Sequence, residues 1–223
     1  MRISLDSFWR RKDLKDLKMS SRLKFLLGLF SFTIILRLLP YILTNYDAKL
    51  DSSVIFYPWN FSPMTAVCLF SGAFMADRRI RFGLPLLALL ISDLGIWAVT
   101  GQFSWAFPSD RWAAYVCTAM AVVLGQGLNR QPGASRAVAA VGCGLFSEVL
   151  FFVVTNFVYF WTQTEAPHTT AGLIACYVAA IPFAKTSFAS SLFYSGLLFS
   201  PLADRTLAPA KVMEPVLQPV RAS

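Results

Sequence analysis

The chain has 223 residues, of which 56% are hydrophobic and 14% are charged, and its mean hydropathy is +0.56. These values exclude an ordinary soluble domain and indicate that a lipid bilayer is the solvent. The formal net charge is +8. The basic residues stand at the ends of apolar segments rather than on one binding element, so no nucleic-acid partner is predicted.

The N-terminal stretch, residues 1–23, is predicted to be a basic cytoplasmic tail. Arg10, Arg11 and Lys12 follow Phe8 and Trp9 there. This interleaving is typical of an amphipathic helix lying on the inner leaflet, and a solvated, unstructured tail is the alternative. Residues 24–200 are predicted to form one transmembrane domain, and residues 201–223 a C-terminal cytoplasmic tail.

The transmembrane domain is predicted to be an all-α bundle of about six spans, because a spanning helix needs roughly 20 apolar residues. The second segment is short for a span and is expected to be tilted, extended by its flanks or partly re-entrant. The predicted spans are Phe25–Thr44, Pro63–Ala76, Phe82–Thr100, Arg111–Leu128, Ala137–Phe160 and Gly172–Phe199.

The distribution of Lys and Arg predicts the orientation of these spans. Of the 20 basic residues, only Lys49 and Arg111 are assigned to the outer side, and Arg37 and Lys185 lie within spans. Since positive residues concentrate on the cytoplasmic side, both termini are predicted to be cytoplasmic. The expected location is the inner membrane of a bacterium.

Four ionisable residues lie inside predicted spans: Arg37, Asp93, Glu148 and Lys185. Each would cost a few kcal/mol near the bilayer centre if it were unpaired, so they are expected to face the bundle interior. Their depths predict two ion pairs, Arg37 with Asp93 and Glu148 with Lys185. These pairs could fix helix packing alone, or they could form a polar site in an outward-opening cavity.

Polar and aromatic residues near these charges extend the set of candidate solute-binding residues. Most tryptophans map to the outer side, which fits an interfacial belt, and a solute-facing aromatic wall is the sharper interpretation. The candidates are Arg37, Asp93, Glu148, Asn156, Lys185, Trp97, Trp105 and Trp161.

Smaller signals concern helix ends and helix contacts. Asn60-Phe61-Ser62-Pro63 and Ser109-Asp110 are predicted to cap the starts of the second and fourth spans. Small residues in Ser71-Gly72-Ala73, Gly125-Gln126-Gly127 and Gly142-Cys143-Gly144 favour close helix approach. No signature of an enzyme, a P-loop, a metal site or a cofactor is found, so no catalytic residue and no cofactor are predicted.

Several short motifs resemble those of an uncharacterised family of bacterial membrane proteins of unknown function. The resemblance covers roughly residues 35 to 200. That family is in turn distantly similar to the S components of energy-coupling factor (ECF) transporters. The motifs are Arg37-Leu38-Leu39-Pro40, Asn60-Phe61-Ser62-Pro63, Leu69-Phe70-Ser71-Gly72-Ala73, Ser92-Asp93-Leu94, Thr155-Asn156-Phe157 and Ile181-Pro182-Phe183.

The resemblance implies a six-helix subunit that captures a small molecule, such as a vitamin or related micronutrient. It also implies partners: a membrane coupling subunit and two cytoplasmic ATPases. Two other classes of function stay open. One is a small proton-coupled carrier that uses Asp93 or Glu148, and the other is a structural or assembly protein without transport.

Overall fold

The computed structural model describes residues 21–45, 61–131, 133–162, 167–201 and 203. Within these residues the protein is helical and contains no β-strand. Residues 1–20 of the predicted N-terminal tail and nearly all of the predicted C-terminal tail lie outside the described residues, as do Lys49 and Asn60, whereas residues 21–23 begin α1. The helices are α1 (Ser21–Asn45), α2 (Met64–Phe74), α3 (Arg78–Thr100), α4 (Phe103–Ala106), α5 (Arg111–Gly125), α6 (Gly133–Thr162) and α7 (Thr170–Leu198).

Four of these helices are long and apolar enough to cross a membrane: α1, α3, α6 and α7. The most apolar 18-residue window of each has a mean hydropathy between 1.4 and 2.2. They match four of the six predicted spans and indicate a membrane protein. The other two predicted spans correspond to shorter helices, α2 with 11 residues and α5 with 15. At about 1.5 Å per residue, α2 rises only about 16 Å, roughly half of a hydrocarbon core.

The short helix α2 lies at the centre of the bundle. Every residue from Ala66 to Ala73 is buried, and α2 contacts α1, α3, α5, α6 and α7. Its apolar sequence is therefore satisfied by neighbouring helices on all sides rather than on one face. The long helices α6 and α7 pair with each other on one side of α2, and α1 pairs with α3 on another.

Glycines allow α2 and α5 to approach until their backbones touch. A Cβ atom added to Gly72 would collide with the carbonyl oxygen of Val122, and one added to Gly125 would collide with the carbonyl oxygen of Leu69. Gly144 of α6 similarly faces the hydroxyls of Ser191 and Ser195 on α7. These contacts confirm the prediction of close helix approach at the small residues.

Two of the predicted side-chain caps, at Ser62 and Asp110, are not formed among the described residues. Asp110 precedes α5 without a side-chain capping bond, and the residue before α2 is Pro63, which has no capping side chain. The hydroxyl of Ser62 is buried without a partner. At the other end of α2, Arg81 caps instead, since its Nε donates to the carbonyl oxygen of Met75 at 2.8 Å.

The two ends of the bundle differ in chemistry. Where α2 and α7 end and α1 begins, an apolar and aromatic cluster fills the interior. In this cluster Phe70 contacts Phe25, Phe74 and Phe199. The opposite end, where α1 ends and α2 and α5 begin, holds charged and hydroxyl side chains. We refer to this end as the polar end of the bundle.

Candidate functional site: a charged cluster and a cavity at the polar end

A cluster of charges joins three helices at the polar end. Arg37 of α1 donates from Nη2 to Oδ1 of Asp93 on α3 at 3.1 Å. Arg111, the first residue of α5, donates from Nε to Oδ2 of Asp93 at 2.7 Å and from Nη2 to Oδ1. Asp93 is 0% exposed. The carboxylate therefore ties α1 and α5 to α3 from a site without solvent.

Hydroxyl groups complete the cluster. The phenol of Tyr115, one turn after Arg111, donates to Oδ2 of Asp93 at 3.0 Å. Nε of Arg37 donates to Oγ of Ser92 at 2.7 Å, and that hydroxyl donates onward to the carbonyl oxygen of Leu89. Each oxygen of Asp93 thus accepts two hydrogen bonds. Asp93 has no remaining acceptor capacity for a ligand.

The arginines, in contrast, retain unused donors. A guanidinium offers five N–H groups, and among the described residues the hydrogen bonds of Arg37 and of Arg111 each use two nitrogens. Their side chains are 22% and 23% exposed. Two positive charges share one carboxylate, so the cluster carries one positive charge in excess.

A cavity of about 190 Å³ lies directly beside the two arginines. It extends from the polar end to the middle of α6. Trp105 of α4, whose side chain is exposed, belongs to the lining, as does Ser62. Further polar lining residues are Thr65, Thr118, Ser147, Glu148 and Ser187, with apolar walls from Leu36, Leu89, Ile96 and Phe151.

Glu148 stands between this cavity and a second one. Its Oε1 accepts a hydrogen bond from Thr65 at 2.5 Å. The second cavity, of about 240 Å³, lies between α6 and α7, and Glu148, Phe151 and Ser187 line both cavities. Asn156 lines only the second cavity, and its amide is held by the carbonyl oxygen of Phe152 at 2.8 Å.

The predicted ion pair of Arg37 with Asp93 is confirmed. The predicted pair of Glu148 with Lys185 is wrong, because no ion pair within 4.0 Å joins these two described residues. Lys185 is exposed on the outside of the bundle, whereas Glu148 is buried. Lys185 lies on the exposed face of α7, and Ser187, two residues further along, lines both cavities instead.

Of the three tryptophans predicted to bind a solute, one lines a cavity and two do not. Trp105 lines the first cavity. Trp97 and Trp161 lie outside both cavities with largely exposed rings. Trp97 contacts Phe103 edge to face, and Trp161 contacts His168. Their surroundings fit an interfacial position, while a role in binding stays a prediction.

Arg111 is the residue of the charged cluster that the sequence interpretation missed, since it was assigned to the outer surface as a topology signal. A signal was present in the spacing. Helices α3 and α5 are joined by a short connection, so the last turns of α3 lie beside the first turn of α5. A long side chain at Arg111 can then reach back to Asp93.

The sequence matches DUF6580, a family of unknown function, over residues 17–210. The chain belongs to this family. The match spans all seven helices, including every residue of the charged cluster. No curated protein and no solved structure gives a significant match to this DUF6580 protein. Within the part of the chain that the structure describes, no group of three or more His, Cys, Asp or Glu side chains could hold a metal ion.

Proposed function

We propose that this DUF6580 protein is a membrane-embedded solute-binding subunit, similar in role to the S components of ECF transporters. In this proposal both termini are cytoplasmic and the polar end of the bundle faces outward. The first cavity receives a small molecule from outside the bacterial inner membrane. A separate coupling subunit and ATPases supply the energy for its release inside.

The observation that carries the proposal is a cavity lined by two arginines that keep unused hydrogen-bond donors. A cluster that served only packing would be expected to satisfy its own hydrogen bonds. Here Asp93 is fully satisfied, but Arg37 and Arg111 keep free donors beside the cavity. Among the described residues, the buried Ser62 hydroxyl also has no partner. A cavity lined by a few polar side chains with unused hydrogen-bond donors is typical of a ligand site.

The size of the cavity favours a small solute. Engineered cavities of roughly 150 Å³ accommodate benzene, so a cavity of about 190 Å³ fits a solute of similar or slightly larger size. Trp105, at the lining and partly exposed, could cover such a solute with its ring. This volume supports a micronutrient-sized ligand rather than a lipid or a peptide.

Filling the cavity tests the proposal. Ala114 of α5 is buried and lines the cavity, whereas Val116 of the same helix is exposed and does not. The wild type, Ala114→Phe and the matched control Val116→Phe are purified from host membranes, and solvent extracts are compared by mass spectrometry. One small molecule, present in near-stoichiometric amount in the wild type and control, is expected to fall at least tenfold in Ala114→Phe.

Two results would contradict a solute-binding role. In one, no small molecule accompanies the wild type in amounts near the protein's own. In the other, the same molecule accompanies all three proteins equally, which would place it outside the cavity. Folding of Ala114→Phe is checked by its elution as a single species in detergent, with Val116→Phe as reference.

A proton-coupled carrier is the second candidate, and the position of Glu148 favours it. This carboxyl group borders both cavities, where a change of protonation could accompany passage of a solute from one cavity to the other. The protein reconstituted alone in liposomes distinguishes the two functions. A carrier moves solute under an imposed pH gradient without partners, and Glu148→Gln abolishes that movement, whereas a binding subunit shows no flux.

A further inference from the structure

We infer that the ligand of the first cavity carries one carboxylate, which binds between Arg37 and Arg111. The inference rests on the proposed solute-binding function and specifies its ligand chemistry. It depends on the charge of the cluster, on the free donors of the two guanidinium groups and on the volume of the cavity.

The charge of the cluster is incomplete within the protein. Asp93 neutralises one of the two arginines, and no other ion pair to Arg37 or Arg111 occurs among the described residues. An uncompensated cation at membrane depth costs free energy unless it is paired. Glu148 lines the same cavity but lies beyond ion-pair distance of both arginines and is bound to Thr65. A single external negative charge would balance the cluster.

The available donors suit a carboxylate. Both arginines already orient their Nε and one terminal nitrogen toward Ser92 or Asp93, so the remaining N–H groups belong to fixed, planar forks. Planar guanidinium groups match the two oxygens of a carboxylate. Ser62, a further polar residue, lines the same cavity.

A doubly charged group fits less well. A phosphate monoester would bring about two negative charges against one excess positive charge, and Glu148 would add to the imbalance. The modest volume of the cavity, about 190 Å³, also favours a compact acid. A monocarboxylate with a small aliphatic or aromatic body meets all three conditions.

The test compares acids with their neutral amides in thermal unfolding of the detergent-purified chain. The probe pairs are acetate with acetamide, propionate with propionamide, and benzoate with benzamide, each at matched ionic strength. Binding to the folded state raises the unfolding temperature. At least one acid is expected to raise it in a saturable manner while its amide does not.

The variant Arg37→Gln separates a binding role from a structural one. It leaves Asp93 with the two-nitrogen contact of Arg111 and removes the excess charge, so the chain should still fold, with a smaller loss of stability than Arg111→Gln. The acid that stabilises the wild type should bind this variant with an apparent affinity at least tenfold lower. Arg37→Lys, which keeps the charge but loses the planar fork, is expected to show an intermediate loss.

Three outcomes overturn the inference. In the first, no acid raises the unfolding temperature of the wild type more than its amide does. In the second, the acid raises the unfolding temperature of Arg37→Gln as much as that of the wild type. In the third, dioctanoylphosphatidylglycerol stabilises the chain while the acids do not, which assigns the site to a lipid headgroup. If a neutral or cationic molecule is retained in the cavity-filling experiment, the carboxylate inference fails and the solute-binding function stands. If nothing is retained and no acid binds, both fail.

Discussion

Arg111 donates hydrogen bonds to Asp93 from two guanidinium nitrogens, and this contact holds the start of α5 against the buried face of α3. Arg37 contacts the same carboxylate through one nitrogen only. The two arginines are therefore unequal. Arg111 has the stronger attachment to Asp93, so removal of Arg37 leaves the two-nitrogen ion pair, whereas removal of Arg111 leaves only the one-nitrogen pair.

Replacement of Asp93 by Asn should destabilise the bundle severely. It would leave two cations facing each other without a carboxylate, and breaking a buried ion pair from one side costs about 3–5 kcal/mol. The unfolding free energy in mixed detergent micelles measures this loss. Asp110→Asn is the control, because the side chain of Asp110 makes no capping bond, and it should change stability little. Equal stability of the two variants would contradict the central role of Asp93.

Removal of Arg111 should cost more stability than removal of Arg37. Arg111→Gln deletes two hydrogen bonds to a carboxylate, whereas Arg37→Gln deletes one, together with a bond to Ser92. A hydrogen bond to a charged group contributes about 1.5–3 kcal/mol, and the expected difference between the variants is smaller than this, because the loss of the second carboxylate bond of Arg111 is partly offset by the loss of the Arg37 bond to the neutral Ser92 hydroxyl. Unfolding curves recorded under identical detergent conditions check the order, and the reverse order would refute it.

The glycine contact between α2 and α5 should tolerate no added methyl group. Gly72→Ala would force a Cβ into the backbone of α5, and overpacking of this kind costs about 1–3 kcal/mol. Gly142→Ala is the matched control, since nothing lies within 4 Å of its added Cβ and Ala favours the helix by up to about 1 kcal/mol. Thermal unfolding should therefore shift in opposite directions for the two variants.

Lys185→Met should leave solute binding unchanged. Lys185 is exposed and lines neither cavity, so its charge has no described partner in the ligand site. Removal of an ammonium group from the lipid-facing side of a span should maintain or raise stability. Ser187→Val, two residues further along α7 and lining both cavities, is the contrasting variant and should alter retention of the solute. Loss of solute in Lys185→Met would show that the lysine reaches the cavity.

Much of the helical architecture could be predicted from the sequence, because long apolar segments have few alternatives in a bilayer. The contact of Arg37 with Asp93 followed from depth alone. Depth is a one-dimensional quantity, however, and it does not say which face of a helix a residue occupies. The error at Lys185 follows from this. Two residues along a helix correspond to about 200° of rotation, so Ser187 faces the interior while Lys185 faces outward.

The helix ends were less predictable than the spans. Ser62 and Asp110 have the residue types of N-caps, yet neither makes the capping bond. Ser62 lies in the cavity lining, where its carbonyl oxygen accepts a hydrogen bond from Ser190 at 2.6 Å. Tertiary contacts that no local pattern contains therefore decide the conformation at this position.

The central position of α2 has a consequence for how the protein is built. This helix is too short to span a bilayer, and the stretch from Ala66 to Ala73 has no surface left for lipid. It emerges from the ribosome before α5, yet its glycine contact requires the backbone of α5. During synthesis α2 therefore cannot reach its buried position until at least α3 and α5 have been inserted. Until then it stays at the edge of the membrane or within the insertion machinery. The middle of the molecule is thus among the last parts to be completed.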